Sequence, residues 1–358
     1  MTIFMKNLCI LFLLSSNLLY SKSEQLYLVT TRDPHYLPHI LDKVNIHQQN
    51  GRTLIVTRQN QRKLLPHFEK YLKKIDLGEV NNYSPLNLTS LHPQKYIQKI
   101  LDGIKPKHLQ EKVEKLSSFP NRRAGHQDNR LATSWVAKEF SRLGYKVDVD
   151  CFKRNTCNVY AHMKGQQNPD EIILVEAHLD SVGKKGAGAD DNASGTGALL
   201  VIAKAVLKAK LKRSYIFFAT NGEEQGLLGA KHYVKRLKAE GKLKKIKFVI
   251  NMDMIAYNKK DKKVDLETNK QFEKEARWMA KVVQTYTELT PNIVTPAWGS
   301  DHVPFLNEKI PTILTIEHWP NKTPCYHASC DKPGHLIYDY AIEIVKLNVA
   351  SAILKNNQ

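Results

Sequence analysis

Ile172-Ile173-Leu174-Val175 runs directly into Glu176-Ala177-His178-Leu179-Asp180-Ser181, and this stretch decides the fold. A short, wholly apolar run rich in β-branched residues reads as a strand buried on both faces, as in a sheet covered by helices on each side. Tyr215-Ile216-Phe217-Phe218, Phe248-Val249-Ile250 and Ile313-Leu314-Thr315-Ile316 repeat the pattern. Helical periodicity falls between them, most clearly over 197–208 and 227–239. Upstream, Leu131, Trp135, Val136, Phe140 and Leu143 are spaced for one helix face, and Gly144 follows where a left-handed cap ends a helix. The alternation predicts a mixed, mostly parallel central sheet with helices on both faces.

Outward from this core the chain divides into three parts. Residues 1–23 carry Lys6, a mostly apolar run from Leu8 to Leu19 and small residues near Ser21, the layout of a secretory signal peptide too short to span a membrane. Residues 24–92 read as a small α/β accessory or pro-domain with its linker. Leu26-Tyr27-Leu28-Val29-Thr30 and Thr53-Leu54-Ile55-Val56-Thr57 are its strands, each followed by a segment holding Leu-Pro-His, in a β-α-β-α order. Residues 93–358 form the main domain. Nothing later approaches the ~20 consecutive apolar residues of a membrane span, so an exported protein, secreted or periplasmic, is expected. Loss of the signal removes Cys9 and leaves Cys151, Cys157, Cys325 and Cys330. This even set suits an oxidising compartment; the near pairs are the expected bridges, with free thiols the alternative.

Composition narrows the class. At 358 residues, 42% hydrophobic and 25% charged, the chain can bury a large core without a disulfide framework. The formal net charge of +19 raises the question of an acidic partner. Its lysines are spread widely, with clusters at 210–213 and 242–247 that flank helices and strands as solvated faces do, and no nucleic-acid motif accompanies them. No nucleic-acid partner is expected, and attraction to anionic cell surfaces or acidic peptides is the remaining use of the charge. No feature sets an oligomeric state, so a monomer is the expectation.

In sheets of this kind functional groups gather beyond the carboxyl ends of the strands. His178 and Asp180 end the first strand. Asn221-Gly222-Glu223-Glu224 follows the second and Asn251-Met252-Asp253-Met254 the third. Gly188-Ala189-Asp190-Asp191-Asn192-Ala193-Ser194-Gly195 precedes a helix, and Tyr326-His327 lies in a late loop. Several carboxylates gathered at one sheet end are costly without a cation and favourable around divalent metal. Imidazole and carboxylate donors without thiolate suit zinc, with cobalt or manganese as substitutes.

These motifs, together with Cys325-Tyr326-His327-Ala328-Ser329-Cys330-Asp331, resemble in order and spacing the M28 family of zinc aminopeptidases, of bacterial leucyl aminopeptidase type. The similarity runs from about residue 100 to the C-terminus. It implies a zinc-exopeptidase fold and two zinc ions: His178 and Asp253 on one, Glu224 and His327 on the other, and Asp190 between them. It implies Glu223 as general base for a water held by the two metals, Asp180 as the carboxylate orienting His178, and Tyr326 as donor to the oxyanion. In some relatives a disulfide brackets the last loop, as Cys325 and Cys330 would here. The reaction implied is hydrolysis of the first bond of peptides with a free N-terminus.

Other readings are a glutaminyl cyclase or carboxypeptidase of the same fold and a catalytically inactive binding module. The full metal-ligating set argues against the cyclase and the inactive module, and no basic pocket for a substrate carboxylate is identified. Trp298, Phe305 and Trp319 are candidates to line a pocket for the first side chain; His302 and His318 are taken as supporting residues.

Overall fold

A computed structural model describes residues 26–30, 44–50, 53–58, 72–75, 91–183, 188–297 and 299–358. The chain divides into two compact units. The first carries a four-stranded sheet of β1 (Leu26–Thr30), β2 (Val44–Asn50), β3 (Thr53–Arg58) and β4 (Leu72–Ile75), in the order β2-β3-β1-β4, with β1 and β4 antiparallel. The runs read as strands at 26–30 and 53–57 are β1 and β3. The helices expected between the strands, and the signal segment, lie outside the described residues.

The second unit opens with α1 (Lys95–Asp102), α2 (Pro106–Ser117) and α3 (Gln127–Arg142). The α3 helix stops as its sequence predicts: Gly144, at φ 86°, donates its N–H to Ser141 O at 3.0 Å. The hairpin of β5 (Lys146–Lys153) and β6 (Thr156–Met163) is closed by a Cys151–Cys157 disulfide. After it come β7 (Asn168–His178), α4 (Gly195–Val206), β8 (Arg213–Thr220), α5 (Leu228–Ala239), β9 (Ile246–Met252) and β10 (Lys263–Glu267). The chain ends with α6 (Glu273–Tyr286), β11 (Thr290–Val294), α7 (His302–Asn307), β12 (Thr312–Glu317) and α8 (Tyr338–Asn357).

These eight strands form one sheet in the order β11-β10-β12-β9-β7-β8-β6-β5. The pairs β7–β8, β7–β9, β9–β12 and β10–β11 are parallel, and β5–β6, β6–β8 and β10–β12 antiparallel. Successive side chains of a strand face opposite ways, and both faces are apolar. Tyr215 and Phe217 of β8 join the core that contains Val113, Phe140, Leu199 and Ile344, whereas Ile216 and Phe218 join the core that contains Tyr233, Leu237 and Phe305. Helices therefore cover both faces, as the uninterrupted apolar runs require. No helix among the described residues is long and apolar enough to cross a membrane.

The topology positions the site. Because β7, β8 and β9 are parallel and in register, with His178 beside Thr220 and Glu176 beside Asn251, their carboxyl ends open at the same edge of the sheet.

Candidate metal centre

Two groups of side chains meet at this edge and share one residue. His178, Asp191 and Asp253 form the first; Asp191, Glu224 and His327 form the second; in each, one potential ligand atom per residue lies within 4.8 Å of the others. His178 Nε2 is 3.3 Å from both Asp191 Oδ1 and Asp253 Oδ1, and His327 Nε2 is 3.1 Å from Asp191 Oδ2 and 3.2 Å from Glu224 Oε2. The two oxygens of Asp191 thus face the two groups separately.

This corrects the sequence expectation for the shared residue, which fell on Asp190. Asp190 faces away from both groups: its Oδ1 accepts the Ala256 N–H at 2.9 Å, and its carboxyl lies against Glu317. The two adjacent carboxylates diverge because the turn 189–194 leaves helical geometry at Asp191 (φ −106°, ψ 88°) and Asn192. Asp331 holds the turn by accepting the Asp190 and Asp191 N–H groups at 2.8 and 3.1 Å, while Asn192 bonds Met252 O and the Gly195 and Met254 N–H groups.

Asp180 is fully buried and knits three functional residues together. Its Oδ1 is 3.5 Å from His178 Nδ1, and its two oxygens accept the N–H groups of Glu223 and Glu224 at 3.2 and 3.3 Å. One carboxylate therefore faces the imidazole and fixes the turn that carries both glutamates. Tyr326 stacks on His327 with ring centroids 3.8 Å apart, and Trp319 packs edge-on against Tyr326 at 5.6 Å. The disulfide Cys325–Cys330 closes the loop that holds Tyr326 and His327.

The electrostatics are those of a site short of positive charge. Burial alone would lower the histidines, but Asp253, Asp180 and Asp191 raise His178 well above its ordinary value. Bonds to Asp191 and Glu224 lift His327 to about 10 against the same burial effect. Burial raises Glu224 to about 7 and, with the neighbouring acids, carries Glu223 well above the usual carboxylate range. Burial would likewise raise Asp191, but both histidines hold it far below its usual value. Glu224 Oε1 is buried without a hydrogen-bond partner. An unpaired carboxylate oxygen, two imidazoles and three carboxylates, in two groups that share one residue, are a donor set that fits divalent zinc.

Trp319 packs with Tyr326 against Met254, Leu314 and Ile316 beside Asp253. Phe305, by contrast, is wholly buried in the core around Tyr233 and Phe218; Trp298 lies outside the described residues. His302 is buried 3.4 Å from Glu267, and His318 Nδ1 lies 2.8 Å from Asp265, so both sit in supporting networks. Sequence reasoning missed Asp191, although the motif that named its neighbour contains it, and gave Asp331 no role.

Comparison with known proteins identifies the family. The model of Peptidase family M28 matches residues 158–352, and the chain belongs to that family. A probable leucine aminopeptidase of Trichophyton verrucosum is 26% identical over 348 residues, covering 86% of this chain and 89% of that protein. An aminopeptidase of Pseudomonas aeruginosa is 41% identical over 128 residues, 36% of this chain and 23% of that longer protein. Among solved structures, LapB from Legionella pneumophila shares the fold at a TM-score of 0.69 and 19% identity, covering 94% of this chain and all of that one. BSAP, a zinc aminopeptidase from Bacillus subtilis, does so at 0.62 and 17%, covering 70% and 95%. The chain is thus a peptidase of metalloaminopeptidase type.

Proposed function

We propose that this protein removes the N-terminal residue of peptides with two zinc ions, one held by His178 and Asp253, the other by Glu224 and His327, with Asp191 shared. The observation that carries the reading is the pair of ligand groups joined through the two oxygens of one carboxylate. Zinc in these positions supplies the charge that acidifies a water near neutral pH and polarises a carbonyl.

The chain's own residues supply the rest. Glu223 takes the proton of the attacking water and hands it to the leaving amine. Its backbone is pinned to Asp180, so the carboxyl meets the reacting atoms in one orientation. Tyr326, braced on His327 and Trp319, donates to the oxygen of the scissile carbonyl as charge builds there. The apolar faces of Trp319 and Tyr326, packed over the buried Met254, receive the first side chain. The carboxylates around the site favour a substrate group that carries positive charge, which the free α-ammonium does and an acylated N-terminus does not.

The protein is proposed to act outside the cytoplasm, since its two disulfides suit an oxidising compartment and residues 1–23 have the pattern of an export signal. The test is hydrolysis of a leucyl chromogenic amide and its N-acetylated form by the purified protein, with chelator and after zinc is returned. Cleavage of only the free amine, lost with chelator and restored by zinc, is expected. A zinc-loaded protein that cleaves neither compound and cyclises an N-terminal glutamine overturns the proposal.

A further inference from the structure

Arg122 lies between α2 and α3, upstream of the segment that matches the family, and is completely buried. Among the described residues it is the one lysine or arginine in the buried set. A buried guanidinium is costly unless its donors are satisfied. Here Nε donates to Leu179 O at 3.0 Å, Nη1 to Leu116 O at 3.0 Å and Nη2 to Gly188 O at 2.6 Å. The backbone carbonyl of Arg122 accepts from Asn129 Nδ2 at 2.7 Å and, at 3.4 Å, from Ser181 N–H.

The three carbonyls belong to separate parts of the site's support. Leu179 stands between His178 and Asp180. Gly188 begins the turn that delivers Asp191, and its positive φ of 58° lets the backbone come close: a Cβ there would be 3.0 Å from Arg122 Nη2. Leu116 is in the last turn of α2, whose side chains pack into the core. One planar group thus ties the His178 loop and the Asp191 loop to each other and to a fixed helix. With the Ser181 bond, Arg122 also grips the backbone on both sides of Asp180.

Charge alone does not account for this residue. A cation beneath a zinc site opposes the binding of zinc, so an electrostatic role would make Arg122 a cost to affinity. We propose that Arg122 is the positioning residue that sets the spacing of the His178 and Asp191 loops and thereby the affinity of the site for zinc. The guanidinium does this because its fork presents several N–H donors in one plane, which an ammonium on a flexible stem does not reproduce.

The inference rests on the two-metal reading, and zinc binding separates the two. Apo full-length protein is titrated with zinc against a chromophoric chelator, and its unfolding temperature is measured in excess chelator. Arg122→Lys, which keeps the charge, is expected to lose about 10–100-fold in affinity, the usual effect of removing a residue that orients ligands. For Arg122→Ala, millimolar guanidinium is expected to restore affinity and ammonium to fail. Asn129→Ala, which leaves the guanidinium bonds intact but frees the Arg122 carbonyl and also the Asn221 side chain that Asn129 bonds at 2.8 and 2.9 Å, gives a milder loss in the same direction and serves if the arginine variants do not fold. Unchanged affinity in Arg122→Lys or in Asn129→Ala, or a gain in Arg122→Ala, overturns the inference while leaving the two-metal reading in place. Wild-type protein that binds no zinc overturns both.

Discussion

Asp190 and Asp191 are neighbours in the chain yet serve different networks: Asp191 lies between His178 and His327, while Asp190 accepts the Ala256 N–H and lies against Glu317. Their substitution should therefore have unequal effects. Asp191→Asn leaves both groups short of a charged oxygen and is expected to cost at least ~100-fold in zinc affinity. Asp190→Asn keeps an acceptor for Ala256 and should cost about tenfold, the low end of the range for a residue that supports the ligands. Competition titration on the two variants checks this. Equal losses would mean that the bridge is not confined to Asp191.

Glu223→Ala should lower kcat by about 10²–10⁴-fold, the range for a lost general base. Zinc content should stay at the wild-type level, because Asp180 accepts the backbone N–H at this position whatever the side chain. Metal analysis beside steady-state kinetics separates the two quantities. A variant that loses its zinc along with its activity would place Glu223 among the ligands instead.

The metal-free protein should lose stability as pH rises. His327 is lifted from an ordinary 6.5 to about 10 by Asp191 and Glu224 despite its burial. A group whose value is raised on folding stabilises fully below its unfolded value and ceases to do so as pH passes its folded value. The unfolding temperature of chelated protein is thus expected to fall between about pH 6.5 and 10, and His327→Asn to flatten that part of the profile. Zinc binding within this window should release protons, as calorimetry in buffers of different ionisation enthalpy would register.

The Cys325–Cys330 bridge should act on the second ligand group. Closing so short a loop contributes about 2 kcal/mol in the chain-entropy account. The bridge brackets Tyr326 and His327. Replacing both cysteines with serine is expected to weaken zinc binding at the Glu224–His327 position more than at the His178–Asp253 position. Sequential metal titration resolves the two steps; equal weakening at both would assign the disulfide a general stabilising role.

Trp319→Ala should raise KM for leucyl and phenylalanyl amides with a smaller effect on alanyl amide, because the indole forms part of the apolar surface beside Met254 and Tyr326. A uniform fall in kcat across the three would show that Trp319 acts through Tyr326 rather than on the substrate's side chain.

Much of this architecture was written into local pattern. The apolar runs at 172–175, 215–218, 248–250 and 313–316 lie in β7, β8, β9 and β12, since a strand covered on both faces has no polar positions to interrupt it. Gly144 ended α3 because a left-handed residue needs no tertiary partner to do so. The ordered motifs at the strand ends named the family, and the family model agrees. Local pattern also suggested both disulfides, because their cysteines lie only 6 and 5 residues apart.

Three features lay beyond that reach. Phe305 looked like a pocket residue by its type, and only packing shows it wholly buried in the core with Tyr233. The choice between Asp190 and Asp191 depends on a backbone turn at Asp191 and on the N–H groups that Asp331 draws together from 140 residues away. Arg122 reads in the sequence as one basic residue among 54 lysines and arginines, and its place under the site exists only once Leu116, Leu179 and Gly188 converge. The sequence by itself determined which elements form, in what order, and which chemical groups arrive at the strand ends, because periodicity and residue type act locally. The tertiary structure decided which of two adjacent carboxylates faces the site and what holds the loops in place, because side-chain direction and hydrogen-bond satisfaction depend on atoms brought together from distant parts of the chain.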